Sequence, residues 1–165
     1  MTALKTLARP LAAAVALVLY SPLPWAADTP FNESLARDYQ ALSEAERAQG
    51  DLRDATTYGR RGADAAAGTP TAPEPVESRQ AFLKDHYKAD LSQARERLMA
   101  AFEGGGRDNA PAAAARAQTT YECWLEQASE GLQPPDIEAC RQAFGVAVAE
   151  VEAAVPQPEA VAEAP

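Results

Sequence analysis

The two cysteines are the residues whose type and spacing most directly suggest chemistry. Cys123 and Cys140 are the only cysteines in the 165 residues, and they flank a Gly-Leu-Gln-Pro-Pro turn at residues 131–135. At a helical rise of about 1.5 Å per residue, the two arms reach about 9–12 Å and about 6–8 Å from the turn, a mismatch of less than one helical turn. The sequence therefore predicts a disulfide that joins two antiparallel helices. A redox-active pair is the alternative, although such pairs usually have the short Cys-x-x-Cys spacing.

Other residues that bind metals or phosphates are scarce. His86 is the only histidine, so the two cysteines and this histidine leave a tetrahedral zinc site one ligand short. The glycine triplet at residues 104–106 lacks the lysine and hydroxyl residue of a phosphate-binding loop. We expect neither a metal nor a cofactor.

Acidic residues on the predicted helices are the remaining candidates for proton transfer. Glu122 and Glu126 lie one helical turn apart and are interpreted as part of a solvated face beside Arg116 and Arg141. General acid–base catalysis needs a carboxyl group buried near a pocket, and nothing in the local sequence argues for burial. We therefore do not expect an enzyme.

Three aromatic residues are the side chains most able to anchor a partner if they are exposed. These are Tyr87, Tyr121 and Trp124. All three lie on apolar helical stripes, where aromatic side chains more often belong to a core.

Composition and charge define the fold class and exclude some partners. Isoleucine occurs only at Ile137, and β-branched residues are too few for a sheet, so the predicted class is all-α. The net charge of -9 disfavours binding to nucleic acid or to an anionic membrane surface, whereas a basic partner remains possible.

Apolar residues at three-to-four spacing predict about five helices. The predicted spans are residues 31–49, 55–67, 78–102, 112–131 and 135–155. The first two, with Asp54 as the cap of the second, resemble one tetratricopeptide-like hairpin. The third is predicted to be the longest.

The chain divides into five predicted parts. Lys5 and Arg9 precede an apolar run over residues 11–20, the pattern of a secretory signal, with a short uncleaved anchor as the alternative. No cysteine lies directly after the run, so we expect no lipid anchor at that point. The parts are a signal peptide (1–27), an N-terminal helical hairpin (28–67), a Pro-rich linker (68–77), a three-helix unit with the disulfide hairpin (78–155) and a disordered tail (156–165).

Two short elements carry a resemblance to a known family. Cys123-Trp124 and the run Gln-Pro-Pro-Asp-Ile-Glu-Ala-Cys-Arg at 133–141 resemble a segment in the N-terminal region of some bacterial OmpA-family envelope proteins, and the similarity covers roughly residues 31–154. In that family a peptidoglycan-binding domain follows the helical region. This chain ends at Pro165, where the linker to that domain would begin, so the resemblance does not imply peptidoglycan binding by this chain alone.

The functional expectation combines these observations. We expect an exported, non-enzymatic helical accessory protein of the bacterial cell envelope, periplasmic or associated with the outer membrane, that binds another envelope protein. The alternative is an acidic periplasmic inhibitor or holdase chaperone that acts on a basic target.

Overall fold

The computed structural model describes residues 29–156, and the regular secondary structure in that range is entirely helical, with no strand. The predicted all-α class is confirmed. The signal peptide predicted over residues 1–27 lies outside the described residues, as does the predicted tail after Pro156. The helices are α1 (Pro30–Gln49), α2 (Leu52–Ala66), α3 (Asp85–Glu103), α4 (Gly106–Asn109), α5 (Pro111–Glu130) and α6 (Pro134–Ala154).

Residues 29–156 form six α-helices instead of about five, because the glycine triplet does not simply end a helix. Gly105 adopts a left-handed conformation, with φ of 90°, and the chain then turns into the four-residue α4. A Cβ atom at Gly106 would overlap Val151 of α6, so only glycine permits this close approach. Residues 78–155 therefore contain four helices, and the prediction of three was wrong.

Helices α1 and α2 form the predicted hairpin. Gly50 ends α1 with a φ of 91°, a left-handed conformation that glycine adopts readily. Asp51 then caps α2, because its carboxylate accepts hydrogen bonds from the backbone N–H groups of Arg53 and Asp54. The prediction that Asp54 caps this helix was wrong.

The connecting segment, residues 67–84, contains the prolines of the predicted linker. It is not α-helical, and it forms one 3-10 turn at Val76–Ser78. Pro73 and Glu74 are buried against the helices. A further turn follows, in which the Phe82 N–H donates a hydrogen bond to the Arg79 carbonyl, and α3 begins only at Asp85. The prediction of a helix from residue 78 was wrong, and α6 rather than α3 is the longest helix in the described part of the chain.

Helices α5 and α6 form the disulfide hairpin. Gly131 ends α5 with a φ of 67°, and α6 begins at Pro134. Cys123 and Cys140 are bonded to each other, with their Cα atoms 5.7 Å apart. The predicted pairing is confirmed, and it joins α5 to α6.

Helix α5 lies at the centre of the fold. It packs against α1, α3, α4 and α6, and the buried apolar residues of all the long helices form one core. Within residues 29–156 no helix is both long and apolar enough to cross a bilayer. The largest fully buried apolar side chains are Leu35, Tyr39, Tyr58, Leu91, Leu98, Tyr121, Leu125 and Val148.

Candidate functional site

Two carboxylates of α5 are buried rather than solvated. Glu122 and Glu126 are both 0% exposed, so the prediction that they form a solvated face was wrong. The reason is the position of α5, which has α6 on one side and α1 on the other. Arg116 and Arg141 pair instead with exposed carboxylates of α6.

Glu122 is held by donors from three parts of the chain. The guanidinium of Arg61 on α2 forms an ion pair with it. The Tyr39 hydroxyl of α1 and the backbone N–H of Glu74 each donate to its Oε1 at 3.0 Å. Burial nevertheless raises the pKa of Glu122 to about 7, against the opposing effects of Arg61 and these hydrogen bonds.

The ion pair belongs to a longer alternation of charges, which we call the ion-pair network: Asp54, Arg79, Glu74, Arg61 and Glu122. Arg79 binds both carboxylate oxygens of Asp54, at 2.7 and 2.9 Å, and its Nε donates to Glu74 at 3.0 Å. Glu74 also pairs with Arg61 at 3.3 Å. The network therefore joins α2, the connecting segment and α5.

Tyrosine hydroxyls complete the polar interior. Gln118 donates its side-chain amide to the Tyr39 oxygen at 2.9 Å and to the Thr71 carbonyl at 2.8 Å. The Tyr121 hydroxyl donates to the Glu74 carbonyl at 2.9 Å. These bonds pin the connecting segment to the face of α5 that also contacts α1.

A second group of acidic residues lies beside the turn between α1 and α2. We call Glu46, Asp51, Asp54 and Glu126 the carboxylate cluster. Oxygen atoms of Asp51, Asp54 and Glu126 all lie within 4.8 Å of one another, and Glu46 is 2% exposed. Burial and neighbouring carboxylates raise the pKa of Glu126 to about 8 and that of Glu46 to about 7.

An open depression runs between α3 and α6 on the other side of α5. We call it the α3–α6 groove, and its volume is about 790 Å³. Its apolar lining comes from Ala94, Trp124 and Phe144, with the Trp124 and Phe144 rings 6.1 Å apart. The polar lining residues are Asp90, Gln93, Glu96, Arg97, Glu138, Arg141 and Gln142.

The disulfide positions this groove. Cys123 immediately precedes Trp124, and Cys140 immediately precedes Arg141. The bond therefore fixes the helical turn of α5 that carries the tryptophan against the turn of α6 that carries the arginine. The Arg141 guanidinium lies 5.9 Å from the centre of the Trp124 ring.

The three predicted partner anchors have different positions. Tyr121 is fully buried and belongs to the core. Tyr87 is partly buried and packs beside His86, with ring centres 4.1 Å apart. Trp124 is only 4% exposed and belongs to the core, but among the three it is the one that lines the α3–α6 groove.

Sequence reasoning missed the ion-pair network and the carboxylate cluster. One signal was present, because Asp54, Tyr58 and Arg61 follow the spacing of the buried face of α2. Comparison of the chain with protein-family models, with curated proteins and with solved structures found no match in any of the three.

Proposed function

We propose that this protein is an accessory protein of the cell envelope that binds another envelope protein by taking a helical segment into the α3–α6 groove. The observation that carries the proposal is the groove itself, with an aromatic lining between two helices. A groove of this kind suits the apolar face of an amphipathic helix. Export rests on the sequence of residues 1–27, and a disulfide is the kind of bond that persists outside the cytosol.

The dimensions favour a short helical ligand. The lining residues of α3 extend from Asp90 to Ala100, about 15 Å along a helix. This length corresponds to roughly three helical turns, which present anchors at positions i, i+3 or i+4, and i+7. A groove open along its length accepts such a segment from the side.

The charges favour a basic ligand. Arg97 pairs with Glu152, and Arg141 pairs with Glu138. Asp90 and Glu96 form no ion pair within the described residues. The unpaired charge on the rim is therefore negative, like the chain as a whole with its net charge of -9. We propose a partner helix with an apolar face flanked by lysine or arginine.

Gly145 of α6 offers a matched pair of variants for the test. It lines the groove, and a Cβ atom there would meet nothing within 4 Å. Gly145→Ala therefore leaves the groove open, while it favours the helix by roughly 1 kcal/mol. Gly145→Trp places a large side chain in the groove, and its Cβ atom would clash with no neighbouring residue.

The binding experiment uses a synthetic amphipathic peptide of leucine and lysine as the probe. Trp124 is the only tryptophan in the described residues, so its emission reports on the groove once Trp25 is replaced by phenylalanine or removed with the leader. We expect the peptide to change this emission for the parent chain and for Gly145→Ala. Because Gly145→Trp adds a second tryptophan, affinities are compared by the anisotropy of a fluorescein-labelled peptide, and we expect Gly145→Trp to bind it at least tenfold more weakly than Gly145→Ala. Equal binding to both variants would contradict docking in the groove and favour the alternative of a general acidic inhibitor or holdase.

A photo-cross-linking experiment then identifies the natural partner. A photoreactive residue at Gln142, which is exposed in the groove, is compared with one at Thr56 on the exposed side of α2. We expect a discrete adduct with an envelope protein from residue 142 only, lost in Gly145→Trp. An adduct that forms equally from both positions would count against the proposal.

A further inference from the structure

The carboxylate cluster gathers oxygen atoms from three helices. Glu46 lies in the last turn of α1, Asp51 caps α2, Asp54 lies in its first turn, and Glu126 comes from α5. The cluster lies beside the turn between α1 and α2, away from the α3–α6 groove, whose lining shares no residue with it.

The spacing of the oxygens allows one cation to bind all three carboxylates. Opposite oxygen ligands lie about 4.6–5.2 Å apart around calcium, which binds oxygen at 2.3–2.6 Å, but only about 4.0–4.2 Å apart around magnesium. The carboxylate oxygens of Asp51, Asp54 and Glu126 fit within 4.8 Å. One calcium ion can therefore reach all three carboxylates, and calcium tolerates irregular coordination, whereas magnesium demands near-ideal octahedral geometry.

Two buried oxygens next to this space have no hydrogen-bond donor. Oε1 of Glu126 is one of them, and Oε1 of Gln127 is the other. The Gln127 amide nitrogen donates to the second oxygen of Glu126 at 2.8 Å, so its side chain lies against the cluster. Buried polar atoms usually have a partner, and a cation would supply one for both oxygens.

The charges of the cluster are not balanced. Four carboxylates meet one guanidinium, since Arg79 is the only cationic side chain of the described residues that hydrogen-bonds to a member. Asp51 Oδ1 and both Asp54 oxygens accept hydrogen bonds, but a carboxylate oxygen retains a second lone pair. A divalent cation would offset the excess negative charge.

We infer that Asp51, Asp54 and Glu126 bind a calcium ion, with Gln127 as a further oxygen ligand, and that the ion ties the turn between α1 and α2 to α5. The expectation of no metal considered histidine and cysteine ligands, whereas these carboxylates meet only in the folded chain. Waters would complete the coordination shell. Sites with few protein ligands bind calcium at about 10⁻⁴–10⁻³ M, a range that suits an exported protein.

Thermal unfolding of the complete mature protein tests the inference. At pH 8.5, above the raised pKa of Glu126, 10 mM calcium chloride is expected to raise Tm by roughly 5 °C over EDTA, because an ion that binds only the folded state stabilises it by mass action. Magnesium should raise Tm less. An equal Tm in calcium and in EDTA would overturn the inference, as would an equal rise with sodium chloride at matched ionic strength.

Three variants assign the effect to the cluster. Glu126→Gln should lose the calcium shift but keep its Tm in EDTA, because it removes one of the repelling charges. Asp51→Asn should also lose the shift while it still caps α2, since asparagine is as good a cap as aspartate. Glu130→Gln changes an exposed neighbour and should keep the full shift. A full shift in both Glu126→Gln and Asp51→Asn would contradict the assignment.

Discussion

Helix α5 contacts its neighbours through two different kinds of interface. Toward α6 the contact is apolar and covalent, with Tyr121 and Trp124 against Phe144 beside the disulfide. Toward α1 and α2 the contact is polar, with Glu122 bound by Tyr39 and Arg61. The apolar interface tolerates small shifts, whereas the polar one is satisfied in a single arrangement of its donors and acceptors.

The difference suggests a division of roles. The disulfide holds α5 and α6 together, and the α3–α6 groove lies beside this interface. The groove can therefore bind a partner without contributing to the stability of the α5–α6 interface. The polar interface fixes the α1–α2 hairpin and the connecting segment in one position relative to α5. Breaking each interface separately should therefore have different effects.

The largest expected effect comes from removing one charge of the polar interface. Arg61→Met leaves Glu122, which is 0% exposed, without its cation, and should lower the free energy of unfolding by about 3–5 kcal/mol. Urea unfolding measures this. The double variant Arg61→Met/Glu122→Gln should recover most of the loss, because the amide oxygen still accepts from Tyr39 and from the Glu74 N–H. A single variant that loses less than about 1 kcal/mol would show that the pair is not desolvated.

The second-largest expected effect comes from removing the disulfide between α5 and α6. Replacing both Cys123 and Cys140 by alanine should lower the free energy of unfolding by about 3 kcal/mol, since the unfolded chain gains the freedom of the loop. The same urea experiment measures this, with the reduced parent chain as the control. Trp124 emission should also change, because the disulfide holds its helical turn against α6. Unchanged stability and emission would show that the apolar contacts alone define this interface.

Alkaline pH should weaken the interior on both sides of α5. Burial raises the pKa of Tyr39, Tyr58 and Tyr121 above the ordinary value near 10. The stability that depends on the neutral phenols is therefore complete below pH 10 and is lost as the pH rises further, by roughly 2.5 kcal/mol in total at pH 10.5. Absorbance at the phenolate band should show these three groups ionising only together with unfolding. Their ionisation in a chain that remains folded would contradict their burial.

The smallest effect concerns the rim of the α3–α6 groove. The double variant Asp90→Asn/Glu96→Gln should weaken binding of the basic peptide by about threefold and reduce its salt dependence, because exposed charges contribute little each. Fluorescence titration of Trp124 measures this. Glu33→Gln, an exposed change on α1, is the control and should leave the affinity unchanged. Tighter binding by the rim variant would mean that the ligand is not basic.

Local patterns in the sequence were sufficient for most of the fold. Helical periodicity, glycine stops and the two cysteines predicted the hairpins and the disulfide, because each of these signals acts within a few turns of chain. The start of α3 was missed because Arg79 is held against α2 by Asp54, a contact between residues far apart in sequence.

The polar interior could not be predicted for a different reason. Burying a carboxylate is unfavourable unless it is paired, so a sequence alone favours placing Glu122 and Glu126 in solvent. Their burial depends on α1 packing against the side of α5 opposite to α6, and periodicity within one helix does not specify this. The groove likewise depends on how far α3 and α6 diverge.

Amide chemical-shift mapping of the isotope-labelled protein with the leucine–lysine peptide tests the central claim most directly. Docking in the groove predicts that the largest shifts fall on residues 90–100 of α3, on residues 138–145 of α6 and on the Trp124 indole N–H. Shifts spread over the acidic surface, or concentrated on α1 and α2, would contradict a binding site between α3 and α6.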